Sequence, residues 1–174
     1  MVVDTGRFMN RIIDINPKDE TAWVEPGVIR DVLNMRLKGD NLFFSPETST
    51  SNRCMIGGMV GNNACGARSL VYGSTRDHLI EVKGYLSDGS KVHFKPLSVR
   101  EYDEKLKLKN GEGEIYRFLH STLMDKEQRV KILEAWPHPE IRRRNTGYAL
   151  DVLAGMRPFD PNGEPFNLSK LIAG

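Results

Sequence analysis

The sequence predicts an α+β fold with a mostly antiparallel sheet and helices packed against it. Asp88-Gly89 is a strong hairpin turn signal before the predicted strand Lys91–Phe94. Apolar residues recur at helical spacing over Val28–Lys38 and again over Glu114–Ala135. At 174 residues and 19.7 kDa, the chain can bury the core of one domain or of two small lobes.

The first forty residues predict short strands followed by one amphipathic helix. Asn16-Pro17 marks a turn, and Pro26-Gly27 ends the strand region. The apolar spacing that follows predicts a helix over Val28–Lys38, with Gly39 as its C-cap. The strands predicted here are Val2–Asp4, Ile12–Ile15 and Thr21–Glu25.

The second half predicts a hairpin and then helices. Leu79–Leu86 is typical of a strand, and it leads into the turn before Lys91–Phe94. The charged stretch Arg100–Asn110 indicates a surface loop. Within Glu114–Ala135 we expect one or two helices, with Asp125 as an N-cap.

Composition and charge exclude several classes of function. The net charge of +2 is too small for a nucleic-acid-binding surface or a polybasic membrane face, and no apolar run is long enough to cross a bilayer. We therefore expect a cytoplasmic protein, or one peripheral to a membrane, without a nucleic-acid partner. Cys54 and Cys65 lack a metal-ligand pattern, which indicates free thiols, and the four histidines reproduce no metal-binding spacing.

The basic triplet at residues 142–144 has two interpretations. It is either a patch that binds nucleic acid or phosphate, or a solvated charged turn. No aromatic residues are interleaved with it, and isolated basic triplets are common, so we favour the solvated turn.

The segment from Ser45 to Gly66, SPETSTSNRCMIGGMVGNNACG, is the most informative part of the sequence. Glycines can adopt positive φ and let another group approach the backbone, so this segment can present N–H donors to a diphosphate or to a flavin edge. Alternatively, the glycines only form tight turns and close packing. The segment is neither a dinucleotide-binding fingerprint nor a P-loop. The glycines concerned are Gly57, Gly58, Gly61 and Gly66.

The stretch from Gly39 to Thr75, which contains this segment, is too long for an ordinary connection. Apolar residues recur throughout it, and we therefore expect it to be ordered and packed rather than disordered.

Several motifs together resemble one family, the FAD-linked oxidases that include glycolate oxidase and D-lactate dehydrogenase. The resemblance implies the central or second lobe of a vanillyl-alcohol-oxidase-type (PCMH-type) FAD-binding domain, truncated at both ends. Residues 1–25 would be a remnant of the first lobe and its connection, and residues 26–174 would be the second lobe. The motifs, in the family's order, are VVDTGRFMNRIIDINP, VEPGV, PETSTSNRCMIGGMVGNNACG, YGSTRDH, EVKGYLSDGS, RRRNTGYALDVL and FNLSKLIAG.

The resemblance implies a parent protein that is an FAD-dependent oxidoreductase acting on CH–OH donors. Its substrate would be a small D-2-hydroxy acid such as D-lactate, glycolate or D-2-hydroxyglutarate. The motif STSNRC…GGMVGNN is most similar to the corresponding sequence of the long members, which carry iron–sulfur domains further along. The family's glycine-rich diphosphate loop, its Glu-Gly-Thr loop and its substrate domain do not occur in this sequence. The alternative is therefore a scaffold lobe that is inactive and binds no cofactor in isolation.

The same resemblance implies which residues of this chain contact FAD. The chain has Met55 where many members have threonine before Ile-Gly-Gly, so we expect no side-chain role for Met55. No catalytic residue and no metal ligand is expected within the chain. The implied cofactor-binding residues are Pro46, Glu47, Thr48, Ile56, Gly57, Gly58, Asn62, Asn63, Gly66, Tyr72 and Gly73.

Overall fold

The structure, a computed structural model, describes residues 4–138, 140, 141 and 147–174. The chain divides into two compact units, one ending at His78 and the other spanning Leu79–Ala173. Each unit contains a two-stranded antiparallel sheet accompanied by helices, which confirms the predicted α+β class. The lobe boundary after residue 25 stays a prediction.

The first unit begins with a hairpin that leads into a helix. Strand β1 (Ile12–Asn16) pairs with β2 (Thr21–Val24), which confirms both predicted strands. Helix α1 spans Arg30–Leu37, and it starts two residues later than predicted because Ile29 is extended and pairs with Met55. The remaining elements are a 3₁₀ turn at Lys38–Asp40, α2 (Ile56–Gly61), α3 (Ser69–Tyr72) and α4 (Thr75–His78).

The predicted C-cap at Gly39 is wrong. Gly39 lies inside the 3₁₀ turn, and the residue in the left-handed conformation is Asn41, with φ of 56°. The Asn41 N–H donates to the Lys38 carbonyl at 3.2 Å. Asparagine tolerates this backbone region better than most residues, so the helix can continue past the glycine before the chain turns.

The segment 39–75 is packed through part of its recurring apolar residues, whereas Phe43, Leu70, Val71 and Tyr72, which we also expected in a core, are exposed. Ile56 and Met59 from α2 are buried against α1 and the residues before it, and Leu42 and Phe44 pack partly against the same core. This segment contains α2 and α3 and overlaps the 3₁₀ turn and α4, so it is not one long loop. The buried apolar residues of this first core are Val28, Leu33, Leu37, Ile56 and Met59.

The second unit consists of a hairpin followed by helices. Strand β3 (Val82–Tyr85) pairs with β4 (Lys91–Phe94), and Gly89 takes φ of +80° in the predicted turn. Asp125 accepts hydrogen bonds from two backbone N–H groups that begin the next helix, which confirms it as an N-cap. The helices are α5 (Val99–Leu106), α6 (Gly111–Met124), α7 (Lys126–Ala135), α8 (Leu150–Ala154) and α9 (Ser169–Ile172).

The core of the second unit is rich in aromatic residues. Tyr102 and Phe166 meet edge-on with centroids 4.9 Å apart, and Tyr116 is fully buried beside them. The Tyr102 hydroxyl lies 3.2 Å from His120 Nδ1, and burial raises the pKa of Tyr102 above its ordinary value.

The predicted surface loop at Arg100–Asn110 is wrong, because most of it forms α5. Ser98 and Glu101 form a capping box: the Ser98 hydroxyl accepts from the Glu101 N–H, and the Glu101 carboxylate accepts from the Ser98 N–H at 2.9 Å. Tyr102 is buried in the core, and this packing outweighs the charged composition of the segment.

Two predictions fall outside the described residues. Val2 and Val3 of the first predicted strand lie there, and so does the basic triplet at residues 142–144.

Glu101 generates a testable prediction about pH. Its hydrogen bonds from Lys95 and Ser98 lower the pKa of this carboxyl from 4.5 to about 2. The stabilisation is therefore present above pH 4.5 and is lost as the pH falls towards about 2. We expect Glu101→Gln to lower the urea midpoint at pH 7, and the difference from the unsubstituted chain to shrink below pH 4.5.

The matched control is Glu104→Gln on the same helix. Glu104 pairs with Arg100 on an exposed surface, so this substitution should change the urea midpoint little at pH 7 and at pH 3. A Glu101→Gln difference that stays constant from pH 7 to pH 3 would contradict the assigned linkage.

Candidate functional site

The segment Ser45–Gly66, which we call the glycine segment, is held in place by hydrogen bonds to the residues that precede α1. The Ile56 N–H donates to the Val28 carbonyl at 2.9 Å, and the Gly57 N–H donates to the Pro26 carbonyl at 2.8 Å. Ile29 and Met55 form an isolated antiparallel bridge between the same two stretches. Together these bonds determine where α2 starts and which of its faces points inward.

These bonds change the expected role of two backbone amides. We predicted that the amides of Ile56, Gly57 and Gly58 reach a cofactor, but the first two already donate within the chain. The Gly58 N–H has no acceptor among the described residues. Of these three amides, those of Ile56 and Gly57 are thus already used by the fold.

Close packing explains two glycines of the segment. A methyl group at Gly57 would lie 2.5 Å from Pro26 Cβ, and one at Gly66 would collide with the Glu47 carbonyl oxygen. Neither position has positive φ, so the alternative of close packing describes these two glycines. Their glycines allow backbone segments to touch.

The other two glycines face open space. Gly58 and Gly61 are exposed, and no protein atom lies within 4 Å of where their Cβ atoms would be. Neither residue has positive φ. Asn62, at the C-cap of α2, is also exposed, and the spacing i, i+3, i+4 places these three residues on one face of α2. We call Gly58, Gly61 and Asn62 the open face of α2.

Helix α1 anchors the beginning of the glycine segment through polar side chains. Arg30 Nε donates to the Pro46 carbonyl at 3.0 Å, and a second guanidinium nitrogen donates to the Phe44 carbonyl at 3.3 Å. The Asn34 carboxamide bonds both the N–H and the C=O of Phe44, at 2.7 and 3.2 Å. Ser51 Oγ donates to Asp31 at 2.9 Å.

Sequence reasoning missed Arg30 and Asn34. They are four residues apart on the predicted helix, so their shared face could be read from the spacing. Their partners are backbone carbonyls distant in sequence, and those have no sequence signature.

Three of the predicted cofactor-binding residues have buried side chains. Pro46 and Ile56 are enclosed by this unit, and Asn63 is buried with a left-handed φ of 42°. Asn63 Oδ1 accepts from the Arg76 N–H at 2.8 Å. These residues shape the segment from within, and any contact of theirs with a cofactor stays a prediction.

The other predicted residues lie nearer the surface. Glu47 pairs with Arg68 at 3.4 Å, and Thr48 Oγ1 lies 3.2 Å from Cys54 Sγ. Tyr72 is partly exposed at the end of α3.

Gly73 follows Tyr72 with φ of +80°, a backbone conformation that favours glycine because it has no side chain. The chain turns there from α3 towards α4.

Ser45 and His78 do not form a nucleophile–base pair, although Ser45 Oγ lies 2.9 Å from His78 Nε2. His78 Nε2 also lies 2.7 Å from the Tyr72 carbonyl oxygen. A carbonyl only accepts, so Nε2 carries the proton and cannot act as the base for Ser45. The histidine instead links Ser45, at the start of the glycine segment, to Tyr72, at the end of α3.

Within the described ranges, no cluster of three or more His, Cys, Asp or Glu side chains could hold a metal ion. In the same residues, no helix combines the length and the apolar character required to span a membrane.

Comparison with known proteins identifies the family. Residues 1–95, more than half of the chain, match the family described as FAD binding domain, and this match includes the whole glycine segment. The chain belongs to the FAD-binding domain family. The predicted resemblance to FAD-linked oxidases is thereby confirmed.

Individual relatives agree with this membership. The chain is 38% identical over its whole length to D-2-hydroxyglutarate dehydrogenase of Escherichia coli (strain K12), and 36% identical to the protein of that name from Pseudomonas putida. About half of the chain is 36% identical to glycolate oxidase subunit GlcD of Bacillus subtilis. The chain spans 16% of the length of the first two relatives and 18% of the third.

The two kinds of glycine generate opposite stability predictions. Gly66→Ala should destabilise the chain by about 1–3 kcal/mol, because its methyl group meets the backbone of Glu47. Gly58→Ala should stabilise the chain by up to about 1 kcal/mol, because alanine favours the helix and its methyl group enters open space. Urea unfolding of both variants measures the difference, and equal midpoints would contradict the assigned packing.

Proposed function

We propose that this chain forms part of the FAD site of a longer FAD-dependent oxidoreductase that oxidises a D-2-hydroxy acid. The family membership supports the cofactor, and the names of the relatives support the class of substrate. Because the chain spans a small part of those relatives, the activity belongs to the parent polypeptide.

The open face of α2 is the observation that carries this proposal. A glycine inside a helix costs about 1 kcal/mol of stability relative to alanine. Packing explains Gly57 and Gly66, whereas no protein atom lies close enough to explain Gly58 and Gly61. A group that must approach the helix backbone closely would account for their missing side chains, and the residues fit FAD in this respect.

The chain's own residues would then have distinct roles. Gly58 and Gly61 would let FAD approach the backbone, and the Gly58 N–H and Asn62 carboxamide would supply polar contacts. Arg30 and Asn34 would hold the beginning of the segment in position from beneath. When bound, FAD accepts a hydride equivalent from the carbon that bears the substrate hydroxyl.

Further contacts follow from the resemblance. We propose that the residues nearer the surface also contact FAD, namely Glu47, Thr48, Tyr72 and Gly73. The more enclosed residues would support this contact surface, namely Pro46, Ile56, Gly57, Asn63 and Gly66. The iron–sulfur clusters of the long members would lie elsewhere in the parent polypeptide.

Among the candidate substrates we favour D-2-hydroxyglutarate. Four relatives of that name match the whole chain and a fifth matches about half of it, whereas the glycolate oxidase subunits match only about half. Measuring turnover of D-2-hydroxyglutarate, D-lactate and glycolate by the purified parent tests this choice.

Gly58→Val in the parent polypeptide tests the FAD site. The branched side chain would fill the space beside α2, so we expect most of the flavin to be lost during purification. Valine is no worse a helix former than glycine, so folding should be preserved. The ratio of flavin to protein absorbance, with circular dichroism as a folding check, provides the measurement.

Gly84→Val is the matched control. Gly84 lies in β3 of the second unit, with open space at its Cβ and a backbone that suits valine. This variant should keep its full flavin content. A Gly58→Val protein with normal flavin stoichiometry would overturn the assignment.

The 174-residue chain alone should be colourless, inactive and unable to retain FAD. The resemblance places two further FAD-binding loops outside this sequence, and hydrogen bonds to charged groups contribute about 1.5–3 kcal/mol each. Losing about four such bonds would weaken binding by on the order of four to nine decades. Titration calorimetry with FAD is the measurement, and a dissociation constant below about 1 μM would show that the other loops are dispensable.

A further inference from the structure

His78, the last residue of α4, connects two stretches of the first unit that are distant in sequence. Its Nε2 lies 2.9 Å from Ser45 Oγ and 2.7 Å from the Tyr72 carbonyl oxygen. Because Nε2 carries the proton, this one N–H is shared between the two oxygens. The His78 ring also meets the Phe44 ring edge-on, with centroids 5.9 Å apart. One side chain therefore contacts both Phe44-Ser45 and Tyr72.

Both of these stretches lead into residues that we propose to contact FAD. Ser45 is buried, and Glu47-Thr48 follows it after a single residue. Tyr72 and Gly73 are themselves proposed contacts. The relative placement of the two pairs of contact residues therefore depends on the shared N–H of this histidine.

Helix α4, which carries the histidine, is anchored by other hydrogen bonds. The N–H and the Oγ1 of Thr75 both donate to the Ala64 carbonyl, at 3.1 and 2.6 Å. The Arg76 N–H donates to Asn63 Oδ1 at 2.8 Å. These bonds tie α4 to the end of the glycine segment, and they do not involve the imidazole. Replacing the histidine side chain should therefore leave α4 in place.

The end of α3 has little of its own to fix its direction. This helix is four residues long, and its C-cap, Gly73, has φ of +80°. Short helices are marginal by themselves, and glycine is the residue with the greatest backbone freedom. The Tyr72 ring meets the Phe43 ring with centroids 5.5 Å apart, but both rings are exposed. The bond from His78 holds the Tyr72 backbone itself.

We propose that His78 is a positioning residue of the FAD site, an inference that rests on the proposed function. Its shared N–H holds Ser45 and Tyr72 together, so that Glu47-Thr48 and Tyr72-Gly73 are aligned before FAD binds. A site that is aligned in advance loses less conformational freedom on binding, and it therefore binds more tightly. The role is exerted through these two stretches and requires no contact between the imidazole and FAD.

Two substitutions in the parent polypeptide test this role. His78→Leu removes the N–H, whereas His78→Gln keeps a side-chain N–H donor that can reach the same two oxygens. With FAD titrated into the FAD-free parent, we expect His78→Leu to raise the dissociation constant at least about fivefold. His78→Gln should stay within about twofold of the unsubstituted protein, because the donor is retained. Far-UV circular dichroism of the FAD-free variants checks the fold.

His138→Leu is the matched control. His138 lies 3.8 Å from Glu140 at an exposed surface of the second unit, so this variant should bind FAD as the unsubstituted parent does.

A double-mutant cycle tests whether the role depends on the shared bond. Ser45→Ala removes one of the two acceptors, and we expect it to weaken FAD binding when His78 is present. In the His78→Leu background the same change should have no further effect, because the bond is already absent. Effects of the two substitutions that multiply would overturn the proposal.

Three further outcomes would overturn the proposal. An unchanged dissociation constant for His78→Leu would show that the link does not matter for FAD, and equal weakening by leucine and glutamine would show that the donor does not. In both cases a Gly58→Val parent that loses its flavin would leave the proposed FAD site standing. A Gly58→Val parent with full flavin content would instead refute that site, and the role of His78 with it.

Discussion

The first unit depends on the close approach of residues 26–29 to residues 55–57. Two backbone hydrogen bonds and one bridge join these stretches, and they can meet only because Gly57 has no side chain to collide with Pro26. The same pairing keeps Ile29 extended and so delays the start of α1. It also orients α2, because one face of that helix is buried against α1 and the opposite face is left open.

Glycine therefore has two different roles within ten residues of one segment. At Gly57 and Gly66 the neighbouring backbone leaves no room for a methyl group, so stability of the fold requires glycine. At Gly58 and Gly61 there is room, and alanine would favour the helix. All four positions are glycine, so residue identity alone does not separate the two roles. They become distinguishable only when the partner across the contact is known, and that partner is distant in sequence.

Local signals explain which elements could be predicted. The Asp88-Gly89 turn and the Asp125 N-cap depend on neighbouring residues, and both were predicted correctly. Helix α5 was missed because its charges favoured a loop, although Ser98 and Glu101 carry the spacing of a capping box. The direction of the Gly57 amide could not be predicted, because its acceptor, Pro26, lies thirty-one positions earlier and is brought close by tertiary packing.

The first unit has a small core, so its stability depends strongly on the groups that bind to it. Its main apolar cluster has five buried members among the described residues, whereas the cluster of the second unit has thirteen. A unit with so little buried apolar surface gains proportionately more from any group that binds only its folded form. The open face of α2 is a surface where such binding would act. The glycine at position 58 weakens the helix of the isolated unit, and a group bound at this face would offset that cost.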